Sequence, residues 1–125
     1  MAILGCGPIG MFTILLSRAF GAVKVIAVDH NKANLAMAKR LGAHETIVVP
    51  KVAANVVEAD KVLESEIRKL THEKGVDVVF EMAGPNQSVN NALSIARNSR
   101  LFGGRKTSSA RPPAFDHPRP RVQAA

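Results

Sequence analysis

The 125-residue chain has no tyrosine, no tryptophan and only five phenylalanines. Apolar residues still make up 46% of it, so a core must be aliphatic, built from Val, Ile, Leu and Ala. Consecutive β-branched residues of that kind suit a parallel sheet buried on both faces. Cysteine is nearly absent too. The single Cys6 excludes an intrachain disulfide and a thiolate cluster around a metal, and a reducing cytoplasm is the expected setting. Long apolar runs are also missing. A spanning helix needs ~20 apolar residues. The stretch Met1–Ser17 meets Arg18 first and holds three glycines and a proline in its first ten residues. No basic segment precedes it, as a signal peptide would require. Ile3-Leu4-Gly5-Cys6 is faintly like a lipoprotein cleavage site but lies too near the N-terminus to follow an apolar segment. No membrane role is expected.

Acidic residues are scarce in one region only. Residues 1–96 carry ten Lys/Arg against nine Asp/Glu, a near balance. Residues 97–125 carry seven Lys/Arg against the single Asp116. The net charge of +7 therefore belongs to the end of the chain and says nothing about its globular part. Arg105–Arg121 holds four prolines and one large apolar residue, Phe115. Such a segment cannot offset the entropy of ordering it. Residues 105–125 are expected to form a disordered basic tail behind a domain at 1–104. The tail could touch nucleic-acid phosphates non-specifically. It lacks aromatic stacking platforms, so no specific nucleic-acid partner is expected.

What remains is an alternation of short apolar runs and longer amphipathic ones. Ala2–Leu4, Val23–Val28, Thr46–Val49 and Val76–Phe80 read as strands. Ile9–Phe20, Lys32–Leu41, Lys61–Lys74 and Pro85–Arg97 read as helices. Gly21, Gly42 and Gly75 stop three of them, Asn31 or a neighbour caps the second, and Asp60 caps the third. Leu35, Ala38 and Leu41 predict one buried helix face. Leu63, Ile67 and Leu70 predict another, and Val89, Leu93 and Ala96 a third. Pro50–Ala59 has no clear form, and Arg100–Gly104 is at most a stub of a fifth strand. Strand and helix in regular alternation imply a doubly wound parallel α/β sheet.

One turn carries chemistry. Gly5-Cys6-Gly7-Pro8-Ile9-Gly10 fits G-x-G-x-x-G, between an apolar run and a helix, and a strand ends in Asp29 19 residues after Gly10. Gly5 permits a tight turn, Gly7 lets the backbone approach a pyrophosphate, and Gly10 lets the helix pack close to the strand. Amides at the helix start favour phosphate charge. Pro8 fits the first helical turn, where its missing N–H matters least. Asp29 would accept from adenosine ribose hydroxyls and repel a 2′-phosphate, which favours NAD over NADP. The plainer alternatives are an ordinary strand-to-helix turn and a helix N-cap at Asp29.

Further segments carry a resemblance. Leu4-Gly5-Cys6-Gly7-Pro8-Ile9-Gly10, Val28-Asp29, Ala38-Lys39-Arg40-Leu41-Gly42-Ala43 and Gly75-Val76-Asp77-Val78-Val79-Phe80-Glu81, continued by Met82-Ala83-Gly84, resemble the cofactor domain of zinc-type medium-chain alcohol dehydrogenases. The sorbitol and threonine dehydrogenase branch is most similar. The resemblance covers roughly residues 2–99. It implies a Rossmann sheet and NAD(H), with Gly5 in the turn and Gly7, Pro8, Ile9 and Gly10 at the pyrophosphate. Asp29 would hold the ribose, and Ala83 and Gly84 would edge the cleft. Where threonine dehydrogenases often place an Arg, this chain has Asn34, and the nearest cation is Lys32.

The departures are large. The family's zinc ligands and proton relay lie in another domain, which nothing here matches. His30, His44, His72 and His117 are scattered at no metal-ligand spacing and read as surface residues. Cys6 reads as a small packing residue, and Ser99-Arg100-Leu101-Phe102-Gly103 as a shortened fifth strand with no sixth behind it. The resemblance therefore implies the NAD(H)-binding portion of a dehydrogenase, with no catalytic or metal residues and no activity alone. A catalytic domain or subunit would be its partner. The alternative is a free-standing NAD(H)-binding or sensing module that works with a partner chain.

Overall fold

A computed structural model describes residues 1–51, 56–97 and 101–104. Five strands, β1 (Ala2–Leu4), β2 (Ile26–Asp29), β3 (Glu45–Val48), β4 (Val79–Glu81) and β5 (Leu101–Gly104), form one sheet in the order β3-β2-β1-β4-β5. Every pairing is parallel. Helices α1 (Pro8–Ala19), α2 (Lys32–Arg40), α3 (Val56–Leu70) and α4 (Asn86–Ile95) link them in turn. The chain winds outward from β1 to β3, then crosses back to β4 on the other side of β1. That reversal puts a topological switch point at the C-terminal ends of β1 and β4, where open α/β sheets leave a crevice.

The two-residue period of a strand divides the core. Ile3, Ala27 and Phe80 face α1 and α2, where they meet Ile14, Leu35 and Ala38. Ala2, Leu4, Ile26, Val28 and Val79 face α3 and α4, where they meet Leu63, Ile67, Ala92 and Ile95. Both faces are covered, which is why these strands read as unbroken apolar runs. The doubly wound α/β expectation holds.

Element boundaries moved wherever a local signal competed with packing. Val23 and Val25 precede β2, and Val23 is 91% exposed in the turn after Gly21. β3 starts one residue earlier than predicted. Asp60 is not an N-cap: α3 begins at Val56, and Asp60 accepts from Gln87 Nε2 across the α3–α4 contact. The same helix stops at Leu70 because Thr71, Gly75 and the Arg68 carbonyl close a turn on themselves. His72 therefore lies past the helix, at φ 51°. Val76 is no part of β4 and forms an isolated bridge to Ala96. In α4, Ala92 and Ile95 are the buried pair, while Val89, Leu93 and Ala96 are half-buried on the neighbouring stripe.

β5 is a real strand, four residues long, joined to β4 across a register shift. The reading of residues 105–125 as a disordered tail lies outside the described residues, as do 52–55 of the uncertain connection. Among the described residues no helix is long and apolar enough to cross a membrane. One face of α1 stays open: Ile9, Phe12, Leu16 and Phe20 follow helical spacing, and all four are more than half exposed.

Candidate functional site

β1 ends at Leu4, and Gly5 turns the chain at φ +91°. Its amide donates to the Val28 carbonyl at 2.8 Å, which ties the turn to β2. A Cβ on Gly5 would lie 2.7 Å from Ala83 N and 2.8 Å from Ala83 Cα, so the segment after β4 presses directly on the turn. A Cβ on Gly10 would lie 2.0 Å from the Gly5 carbonyl oxygen. The start of α1 thus sits on the turn so closely that only glycine fits. Gly7 differs from both. Its backbone is extended (φ −70°, ψ −172°), and a Cβ there would meet nothing within 4 Å. Gly7 faces open space beside the N-terminus of α1.

That N-terminus has amides to spare. Pro8 is the first helical residue and has no N–H to satisfy. Ile9 and Gly10 follow it in the first turn, where α-helical amides lack an acceptor one turn back. No side chain caps them, since Gly7 has none. Pro8 and Ile9 are exposed.

Asp29 closes the other side at the end of β2. Its Oδ2 accepts from Cys6 N at 2.7 Å and from Asn34 Nδ2 at 3.2 Å. Its Oδ1 accepts from Asn31 N at 2.8 Å and lies 3.3 Å from His30 Nδ1. Burial is the largest single influence on this carboxyl and disfavours its charge. The N–H donors of Asn31, Cys6 and Asn34, with His30 beside them, outweigh burial and hold the group below the usual carboxylate range. Asp29 does not cap α2. Asn31 does so, accepting from Ala33 N at 2.8 Å and Asn34 N at 3.4 Å.

Cys6 is fully buried, and the packing reading of its side chain fits. Burial, then the nearby Asp29 charge, pushes its thiol up to about 12, so it is no nucleophile at neutral pH. Its backbone amide is the part that matters to the site. The surface reading of the histidines fails for His44, which is half-buried with Nδ1 accepting from Val25 N at 2.9 Å. His30 is exposed but reaches Asp29. His117 lies outside the described residues.

The sequence named Ala83 and Gly84 as an edge of the cleft and assigned no role to the acid before them. Glu81 is fully buried, and its Oε1 accepts from both Ala83 N and Gly84 N at 2.8 Å. That carboxylate shapes the segment against which Gly5 packs. An acid closing an apolar strand just before a small-residue turn was the only available signal. Its Oε2 has no partner among the described residues. Asn34, seen in sequence only as a missing Arg, touches the carboxylate directly.

The structure therefore brings Gly5, Gly7, Pro8, Ile9 and Gly10 together in one turn. Asp29 is bonded to that turn through Cys6, Ala83 lies against it, and Gly84 follows, held with Ala83 by the Glu81 carboxyl. Among the described residues no group of three or more His, Cys, Asp or Glu could hold a metal ion. The donor set does not fit a catalytic zinc, and no chemical step is assigned to one.

A family model described as zinc-binding dehydrogenase matches residues 8–102. The L-idonate 5-dehydrogenase of Vitis vinifera is 40% identical over 97 residues, which are 76% of this chain and 25% of that protein. The L-threonine 3-dehydrogenase of Bacillus velezensis is 40% identical over 101 residues, 81% of this chain and 26% of that protein. Among solved structures, zinc dependent alcohol dehydrogenase 2 from Streptococcus pneumonia superimposes with a TM-score of 0.68 at 27% identity, over 82% of this chain and 28% of that one. The chain thus spans about a quarter of the length of these relatives.

Proposed function

Because this chain belongs to the zinc-binding dehydrogenase family, we propose that it is the NAD(H)-binding portion of an oxidoreductase acting on alcohol groups. In this reading residues 1–104 form the dinucleotide domain and residues 105–125 a separate basic tail. The observation that carries the reading is the 2.7 Å bond from Cys6 N to Asp29. It locks a carboxylate suited to ribose hydroxyls to a glycine turn suited to a pyrophosphate.

The residues present fit a dinucleotide. Gly7 leaves the room that a Cβ would fill. The exposed Pro8 and Ile9 border that room, and the first-turn amides of α1 would meet the pyrophosphate. Gly5 and Gly10 hold the turn's shape, Asp29 would orient the adenosine ribose, and Ala83 and Gly84 would bound the nicotinamide side. When bound, NAD(H) supplies the hydride acceptor or donor. This chain's residues bind and orient it. They move no proton and polarise no substrate oxygen, so the chain alone is inactive. Its place is the cytoplasm, where a lone buried thiol stays reduced.

The zinc would belong to a partner domain or subunit. The exposed apolar face of α1 favours such a partner, because large apolar patches on isolated domains mark interaction surfaces. Its occupant in this reading is the remaining three-quarters of a dehydrogenase polypeptide. The same face also supports the second reading, an NAD(H)-sensing module that works with a partner chain.

The test is an amide correlation NMR titration of the full chain with NADH. Shifts at Gly5–Gly10, Asp29, Ala83 and Gly84 are expected. A dispersed spectrum that ignores millimolar NADH would overturn the reading, and turnover of NAD with a polyol or threonine by the pure chain would overturn its inactivity.

A further inference from the structure

Glu81 breaks the pattern of its own strand. β4 reads Val79-Phe80-Glu81, and Val79 sits in the apolar layer that faces α3 and α4. Two residues on, Glu81 points to the same face. Its partner in the neighbouring strand is Leu4, which belongs to that layer as well. A carboxyl is therefore fully buried where an apolar side chain would pack. Burying it is costly unless its oxygens find donors. Oε1 accepts from Ala83 N and Gly84 N at 2.8 Å each, while Oε2 has no partner among the described residues. Breaches of local packing rules gather at functional sites.

What Glu81 holds lies beside the glycine turn. Met82 N donates to the Leu4 carbonyl at 2.8 Å, which keeps the chain along β1 for one more residue. Ala83 and Gly84 then leave the sheet, with Gly84 at φ +95°. Both amides turn inward to the same oxygen. The Ala83 backbone presses on Gly5, where a Cβ would come within 2.7 Å of Ala83 N and 2.8 Å of Ala83 Cα. Gly5 N is tied in turn to the Val28 carbonyl, and the next amide, Cys6 N, to Asp29. The placing of residues 83–84 therefore sets the spacing between the segment after β4 and the glycine turn. The Glu81 side chain is sealed from solvent, so it acts through these two amides and not by touching a ligand.

We propose that Glu81 is a positioning residue, which holds the Ala83 and Gly84 amides from below and so fixes the nicotinamide edge of the cleft against the glycine turn. This rests on the NAD(H)-binding reading above. Both bonds end on one oxygen, so the role calls for a single acceptor atom at that point and not for a second oxygen. Glutamine keeps a carbonyl oxygen at the same reach. Leucine has similar bulk, suits the apolar layer and has no acceptor.

The test is a pair of calorimetric titrations, with NADH and with ADP-ribose, which lacks the nicotinamide ring, on the full chain and on Glu81→Gln and Glu81→Leu. Glu81→Leu weakens NADH by roughly tenfold. It weakens ADP-ribose by less, because the segment it frees bounds the nicotinamide side. Glu81→Gln stays within about threefold of wild type for both ligands, since its carbonyl oxygen takes over the two bonds. A merely structural role would weaken both ligands by one factor, because both bind the same folded fraction. An unchanged ratio of NADH to ADP-ribose affinity in Glu81→Leu would refute the positioning role while leaving the dinucleotide site standing. Glu81→Gln as weak as Glu81→Leu would refute the acceptor oxygen as its means. Hydrogen exchange on wild type decides the matter if the leucine variant does not fold. The Ala83 and Gly84 amides should be protected, and exchange as fast as in an exposed loop would sink the proposal. Wild type that binds neither ligand would remove the NAD(H) reading and this proposal together.

Discussion

Gly7→Ala separates the fold from the site, because Gly7 is the one glycine of the turn with free space in front of it. Its φ of −70° and ψ of −172° are open to any L residue, and a Cβ would meet nothing within 4 Å. Two small effects on stability oppose each other. Alanine loses less unfolded-state entropy, a gain of about 0.4–1 kcal/mol. It is also a poorer N-cap than glycine, a loss of about 0.5–1 kcal/mol. The net change stays within ~0.5 kcal/mol, or a shift in melting temperature of up to ~4 °C for a domain of this size. Binding responds differently. A methyl group in that space keeps a phosphate oxygen from the ~2.9 Å approach a hydrogen bond needs. Losing even one charge-assisted bond of ~1.5–3 kcal/mol weakens NADH at least tenfold. Thermal melts by circular dichroism and NADH titrations on the same samples decide the matter. NADH affinity within twofold of wild type would refute the assignment of that space to the pyrophosphate. A melting temperature lowered by more than 10 °C would show that the space is not open.

Gly10→Ala should do the reverse. Its Cβ would sit 2.0 Å from the Gly5 carbonyl oxygen, a backbone atom that can move only with β1 and the turn. Overpacking of ~1–3 kcal/mol or more exceeds the ~1 kcal/mol that alanine gains in a helix. The same melts should therefore show a loss of several degrees, and an unchanged melt would contradict the packing described. Asp29 makes stability depend on acid. Its folded pKa lies below its unfolded value of about 3.9. Its contribution is therefore whole above about pH 5 and disappears as pH falls through the folded pKa. Asp29→Asn should cost about 1–3 kcal/mol at neutral pH, since an amide cannot satisfy both Cys6 N and Asn31 N. The stability gap between the two proteins, from urea melts at each pH, should close in acid. A gap that does not change with pH would count against the carboxylate's bonds.

The architecture was legible because a parallel sheet buried on both faces writes itself as unbroken apolar runs. Ile26-Ala27-Val28 needs no alternation, since α2 covers one side and α3 the other. The boundaries were not legible because β-branched content does not know where pairing starts. Val23 has the composition of a strand residue and sits 91% exposed in a turn. In α4, the stripe of Val89, Leu93 and Ala96 and the stripe through Ala92 and Ile95 both obey helical spacing. They lie about 100° apart on the helix, and only contact with α3 and β4 selects the second.

The site shows a different limit. Spacing marks Gly5, Gly7 and Gly10 as equals, yet each does separate work. Gly5 yields to Ala83, Gly10 yields to the Gly5 carbonyl, and Gly7 yields to nothing among the described residues. A requirement for glycine at the first two is met by the fold itself. At Gly7 the described residues make no such demand, which is why that position, and not the other two, separates the fold from the proposed cofactor site. The acids follow the same logic. Asp29 after a strand reads equally as a helix cap or a ligand group, and the sequence alone could not choose. Asn31 takes the capping role two residues on, and the carboxylate is left to gather the turn, the helix start and Asn34 around one charge. Such contacts run across elements between side chains and backbone amides, which carry no spacing of their own. They become visible only when the strands that hold them are brought side by side.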